Sequence, residues 1–292
     1  MAKFFGFVQF DFAGALPLAD GRYLAGSDSG GDESVLVLER IGAPAPGGRK
    51  RRRGRATAAD PEPAPISVTR VTAIRAAFPF EDPAEAARWL DEACEAEETV
   101  EVLAAEGIAT LNRALHAQAV AAADPRSRSE LSPEQAERVL VGYGSGEEAA
   151  DGRFTDARQV DLTPRTASRR RQREEELRPQ ERVAAVLRGR KRLDACETLL
   201  LRARADLDAG RDREAALQLR VGLEALLVEL KGALADPAHE EDMATLQERR
   251  SEIGDAANVA LQGELGDKQR DHVEGLLKVC ERVLRRRRIL RG

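Results

Sequence analysis

Apolar and polar residues alternate near the start of the chain, a period that predicts β-strands. Five of the eight phenylalanines lie between residues 4 and 12, and alternation is clear in the second half of that segment. The run "SVLVLERI" at 34–41 is apolar and β-branched, and an Asp-Gly pair precedes Tyr23. We therefore expect an antiparallel meander of three strands, with the β-branched run at 66–78 as a further, inner strand.

The spacing of apolar residues becomes helical after residue 82. Asp82 is a suitable N-cap, and Pro83 is a suitable first helical residue. The apolar positions that follow are Ala86, Trp89, Leu90, Ala93, Val100, Leu103, Ile108, Leu111 and Leu115. One long helix is predicted, with Gly107 as the point where it would bend or divide. A second hairpin, at 137–162, is expected to close this half of the chain.

The second half carries only helical periodicity, in four apolar stripes. The first runs from Val183 to Leu207, and the second follows Gly210 and contains Leu223 and Leu227. The third contains Met243, Leu246, Ile253, Ala257 and Leu261, and the last contains Val273, Leu276, Leu277, Cys280, Val283 and Leu284. Short connections favour antiparallel neighbours, so we expect a four-helix bundle or paired helical hairpins.

These patterns predict two domains of different class. Residues 1–162 should form an α+β domain, an antiparallel meander with one long helix, and residues 178–292 an all-α bundle. The charged segment at 163–177 is interpreted as a linker. The segment at 42–65 has five prolines and no large apolar residue, so we expect a disordered loop there.

Composition excludes several classes of protein. The 292 residues include no apolar run of the length that a membrane span needs, and the N-terminal segment lacks the features of a secretory signal. We therefore expect a cytoplasmic protein. The three cysteines, Cys94, Cys196 and Cys280, are far apart and fall in helical stripes, which favours reduced core thiols over a metal or redox site.

No catalytic, metal or cofactor site is predicted. The stretch "VGYGSGEE" follows a predicted strand, but two glutamates stand where a phosphate loop needs positive potential. The cluster "DPAHEED" at 236–242 has a simpler explanation, because acidic residues at a helix start face the positive end of the helix dipole. The acidic stretch at 91–98 is interpreted as a solvated helix face.

Charge is strongly segregated, although the net charge is only −5. The basic tract of the predicted loop comprises Arg49, Lys50, Arg51, Arg52, Arg53 and Arg55, and a second basic segment includes Arg285, Arg286, Arg287 and Arg288. Residues 81–110 contain ten acidic residues against one arginine. Both basic segments are candidate polyanion-binding sites, with a solvated spacer as the alternative for the tract. The basic C-terminal segment could instead dock on the acidic helix, within or between subunits.

The sequence therefore favours a non-enzymatic interaction or adaptor protein. Its helical bundle would bind protein or a second copy in a homodimer, and its basic segments would contact nucleic acid or another polyanion. The alternative is an enzyme with a site in the α+β domain, built from residues distant in sequence. A deep cleft with convergent polar groups would favour the enzyme, and a broad apolar or charged face would favour the adaptor.

Overall fold

A computed structural model describes residues 3–26, 34–42, 67–127, 130–162, 180, 182–190, 192–232 and 236–291. The fold is mixed α+β. Its contacts divide the chain into two compact units, Met1–Arg165 and Thr166–Gly292, which are treated separately below. Within the described residues, no helix is both long and apolar enough to cross a membrane.

The first unit is built around a six-stranded antiparallel sheet with the strand order β2-β3-β4-β1-β5-β6. The strands are β1 Phe4–Ala13, β2 Gly21–Ala25, β3 Ser34–Ile41, β4 Val68–Phe80, β5 Arg138–Ser145 and β6 Asp156–Val160. The helices are α1 Pro83–Glu95, α2 Glu97–Ala121 and α3 Gly146–Ala150, with a 3-10 turn at Pro133–Gln135.

The predicted meander of the first three strands is wrong in one respect, because β1 does not pair with β2. It pairs with β4 on one side and with β5 on the other. Seven consecutive residues of β1, from 6 to 12, are buried. A strand that is buried on both faces requires a central position, which β1 obtains by pairing with two strands that follow much later in the chain.

Helices α1 and α2 cover one face of the sheet, where Val8, Phe10 and Phe12 join the main core. The prediction of one long helix is corrected, because the helix divides at Ala96, whose φ of −105° and ψ of 106° are extended. It does not divide at Gly107, which is buried inside α2. A Cβ atom at Gly107 would lie 3.0 Å from the ring of Phe10, so this glycine permits close packing of the helix on the sheet.

The second unit consists of packed helices in the part of the chain that the structure describes. These are α4 Ala195–Asp208, α5 Asp212–Glu229, α6 Pro237–Glu248, α7 Arg250–Gln262 and α8 Asp267–Arg291, and residues 182–187 are also helical. Leu223 is fully buried in the core as predicted, whereas Leu227 is only partly buried at its edge.

The number of helices in this unit differs from the four that the stripes predicted. The third predicted helix is two helices, α6 and α7, which meet at Arg249. Leu246 and Ile253 are seven residues apart, a spacing that one continuous helix would also satisfy, so the sequence does not mark the break. The first predicted stripe is also interrupted, because α4 begins only at Ala195.

Candidate interaction surfaces

Polar clusters in both units and one apolar helix face are candidates for function. The first lies on the sheet face opposite α1 and α2, where Asp11 of β1 stands between Arg70 of β4 and Arg138 of β5. The Nε of Arg70 lies 2.9 Å from Asp11 Oδ1, and the Nη2 of Arg138 lies 2.7 Å from Oδ2. This cluster unites residues distant in sequence, as the enzyme alternative requires.

The chemistry of Asp11 is that of a structural anion. Burial by itself would raise its pKa, but the hydrogen bonds and charges of Arg70 and Arg138 together hold the pKa below the ordinary value. Both carboxylate oxygens already accept hydrogen bonds from arginine. An ionised carboxylate with both oxygens engaged is a poor proton acceptor, so this cluster is not suited to general base catalysis.

Next to the Asp11 cluster, on the same face of the sheet, lies a row of buried polar residues. The Nε2 of Gln9 donates to Thr72 Oγ1 at 2.8 Å and to the carbonyl of Gly152 at 2.9 Å. The turn after α3 covers this row, and an ion pair between Arg22 and Asp151 holds the turn against β2. Because Gln9 and Thr72 are buried under this turn, the row does not line an open site.

Sequence reasoning missed this face, although a signal was present. Gln9 and Asp11 are polar residues two positions apart in a phenylalanine-rich strand, and Arg70 and Thr72 repeat the same spacing in β4. Period two places each pair on one face of its strand. The juxtaposition across β4, β1 and β5 depends on the strand order, which the sequence does not specify.

The predicted basic residues are only partly described. Arg49, Lys50, Arg51, Arg52, Arg53 and Arg55 lie outside the described residues. In α8, Arg286 donates to the carbonyl of Ala238 at 2.6 Å and to Asp242, and Arg287 pairs with Asp194. Arg285 and Arg288 are exposed. The structure therefore divides the predicted C-terminal patch into two arginines that bind within the bundle and two at its surface.

The stretch "DPAHEED" forms the first turns of α6. Asp236 is the N-cap and accepts a hydrogen bond from the backbone N–H of His239 at 2.8 Å. Asp242 is buried, and burial alone would raise its pKa, but Arg282 and Arg286 together lower the pKa. His239 is only 2% exposed, and neither ring nitrogen has a hydrogen-bond partner within the described part of the chain.

Carboxylates elsewhere show the same electrostatic pattern. The pKa values of Glu148, Asp151, Glu229, Glu252 and Glu274 are also lowered, by hydrogen bonds or charges from their neighbours that outweigh burial. Glu148 closes a capping box with Ser145, which explains one glutamate of "VGYGSGEE". Across the described residues, no group of three or more His, Cys, Asp or Glu side chains could hold a metal ion.

The cysteine thiols show the opposite pattern, because burial raises their pKa values. Cys196 and Cys280 are buried, and burial is the main cause that raises the pKa of each thiol to about 12. Burial also raises the pKa of Cys94, which is only partly buried. A raised pKa lowers the thiolate fraction, and the thiolate is the nucleophile and metal ligand.

Helix α5 carries apolar side chains on two opposite faces. Its inner face contributes Leu219, Leu223 and Leu226 to the core. On its outer face, Val221 is 55% exposed and Val228 is 77% exposed. Leu217 and Ala225 continue this side of the helix at helical spacing, and both are half-buried because each also packs against the core. We call Leu217, Val221, Ala225 and Val228 the α5 stripe.

Surface depressions in the second unit are open and lined by paired charges. One, of about 490 Å³, lies beside the α5 stripe and includes Arg220, Glu224 and Arg250. Another, of about 500 Å³, includes Arg204, Asp212 and Arg270. Arg250 pairs with Glu224, and Arg270 pairs with Asp212, so these charges already have partners. Neither depression is a deep cleft with convergent polar groups.

No known protein family, curated protein or solved structure matches the chain.

Proposed function

We propose that this chain is a non-enzymatic interaction protein whose helical unit binds another protein through the α5 stripe. The observation that carries the proposal is the second apolar face of α5. A helix at a protein surface normally turns polar residues outward, and a helix that is apolar on opposite faces is normally covered on both. Exposed apolar residues that continue along one helix face are typical of interaction sites.

The electrostatics support a binding role over a catalytic one. A general acid requires a carboxyl whose pKa is raised, and a catalytic pair requires pKa values that are pushed apart. Asp11 and Asp242 are the acidic residues that are buried in the described part of the chain, and arginine neighbours lower the pKa of both. In the α+β unit, the Asp11 cluster that an enzyme would use therefore has charges that are already compensated.

A polyanion contact is the second part of the proposal. It rests on the sequence of the basic tract at 49–55 and on the exposure of Arg285 and Arg288 in α8. Such contacts would read phosphates or similar anionic groups with little sequence preference.

Site-specific crosslinking in the source cells tests the protein contact. A photo-crosslinking amino acid replaces Val228 in the full chain, and a matched variant carries it in place of Val120, an α2 valine that is 67% exposed. We expect discrete protein adducts at position 228 that position 120 does not give. Identical adducts at both positions, or none at position 228, would contradict the proposal.

A further inference from the structure

The α5 stripe has a nearly palindromic arrangement. Its apolar positions, 217, 221, 225 and 228, are separated by four, four and three residues. If a second α5 runs in the opposite direction with its centre between residues 222 and 223, Leu217 meets Val228 of the other copy. In the same alignment Val221 meets Ala225, so a larger side chain faces a smaller one at the centre of the contact.

Charges beside the stripe obey the same symmetry. Arg220 and Glu224 lie along one side of it, and both are at the protein surface. In the antiparallel alignment, Arg220 of each copy faces Glu224 of the other. In a parallel two-fold alignment the charged flanks of the two copies would lie on opposite sides of the contact, so Arg220 and Glu224 would not meet.

We infer that the occupant of the α5 stripe is a second copy of this chain, bound by antiparallel α5–α5 packing about a two-fold axis. The inference rests on the proposed function and names its partner. Two-fold symmetry makes such an interface isologous, so every favourable contact occurs twice. Arg220 also donates to Asn258, and Glu224 accepts from Arg250, so pairing between copies extends two existing networks.

The size of the contact sets its strength. The 18 residues of α5 extend over about 27 Å, and one helix face alone supplies less than the roughly 800 Å² per partner of a standard stable interface. We therefore place the dimer in the reversible range, with a dissociation constant on the order of micromolar.

Opposite charge changes in two variants test this geometry in the full chain. Arg220→Glu gives two acidic residues beside the stripe, and Glu224→Arg gives two basic residues. Each variant alone should be monomeric at concentrations where the wild type is dimeric, with self-association weakened at least about tenfold. An equimolar mixture of the two should form heterodimers, because both cross-copy contacts then join opposite charges.

Sedimentation velocity over a concentration series provides the measurement, with circular dichroism to confirm that each variant is folded. A second comparison sets Val221→Ser/Val228→Ser, which should be monomeric, against Val102→Ser/Val120→Ser, which should dimerise like the wild type. The control valines of α2 are 53% and 67% exposed, close to the 55% and 77% of the test pair. A wild type that stays monomeric at about 100 µM overturns the inference, as does a mixture of the charge variants that fails to pair.

The two proposals fail separately. If the wild type is monomeric while crosslinks at position 228 join it to a different protein, the dimer is wrong and the interaction function stands. If the chain is monomeric and position 228 gives no adduct, both are wrong.

Discussion

Arg282 donates to Asp242 Oδ1 from Nη2 at 2.6 Å and from Nε at 3.0 Å, and its Nε also lies 3.2 Å from Oδ2. Arg286 contacts the other carboxylate oxygen, Oδ2. The contacts join the C-terminal part of α8 to the first turns of α6, through residues that are 40 and 44 positions apart in sequence. One buried carboxylate therefore fixes the position of two arginines, of which Arg286 belongs to the predicted basic segment of α8.

Replacement of Asp242 by Asn should destabilise the helical unit. The change leaves two arginines without their anion, and because Arg282 is about half exposed we expect a loss of about 2 kcal/mol at neutral pH. Urea unfolding followed by far-UV circular dichroism measures it. All tryptophan, tyrosine and phenylalanine residues precede residue 166, so Trp89 fluorescence separately reports the first unit.

The contribution of Asp242 to stability depends on pH with a defined sign. The pKa of Asp242 is lower in the folded chain than the ordinary value of 3.8, so the carboxylate stabilises the fold fully above that value. This contribution is lost as the pH falls through the lowered folded pKa, and Asp242→Asn should lack that part of the acid sensitivity. Asp267→Asn is the control, because its side chain is 99% exposed and should change stability by less than about 0.5 kcal/mol. Equal effects of the two substitutions would show that the contacts of Asp242 with Arg282 and Arg286 contribute nothing to stability.

Residues 178–292 should fold without the rest of the chain. The unit has its own core, and Leu223 lies fully buried within it. Leu223→Ala should cost about 2 to 5 kcal/mol, because it removes buried methyl groups and leaves a cavity. Val221→Ala, two residues away on the α5 stripe, should cost less than about 1 kcal/mol in the monomer. A fragment without helical circular dichroism, or equal costs for the two substitutions, would contradict this prediction.

Two glycines should respond to alanine in opposite directions. A Cβ atom at Gly142 in β5 would lie 2.6 Å from the backbone oxygen of Asp156 and 2.8 Å from the ring of Phe7, so Gly142→Ala must displace β6 or the core. We expect a loss of about 2 kcal/mol, seen by Trp89 fluorescence. Gly254 in α7 has open space at its Cβ position, so Gly254→Ala should stabilise the helical unit by up to about 1 kcal/mol. A stabilising Gly142→Ala would argue against the register of β5 and β6.

Local patterns predicted elements more reliably than their arrangement. Asp82 caps α1 and Pro83 begins it, as the sequence indicated, because capping is decided by neighbouring residues. The position of β1 was not predicted, since its partners β4 and β5 are separated from it by long stretches of chain. The break between α6 and α7 was also missed, because the apolar spacing across Arg249 suits one helix equally well.

The candidate site was predictable only in part. Two apolar faces on α5 could be inferred from Leu217, Val221 and Val228, which fall between the leucines of the core stripe. The burial of Asp242 and its contacts with α8 could not be inferred, because they depend on how helices pack. The same packing places Arg286 and Arg287 in contacts within the bundle, and polyanion binding by this segment stays a prediction.

The basic tract provides the last prediction. Arg49, Lys50, Arg51, Arg52, Arg53 and Arg55 place six cations in seven positions, and residues 42–65 contain no large apolar residue. If the tract binds nucleic acid, its charges contribute a slope of at most about −5 in log affinity against log salt, with little preference for sequence. Replacing all six by serine should weaken binding to a single-stranded DNA probe sharply and flatten that slope. The melting temperature should barely change, because the tract contains no large apolar side chain that a core could hold. The variant Arg285→Ser/Arg288→Ser removes the exposed arginines of α8. It measures how much the second basic segment contributes to binding of the probe. Equal binding by the wild type and the six-serine variant at low salt, or no binding by either, would leave the tract as a solvated spacer.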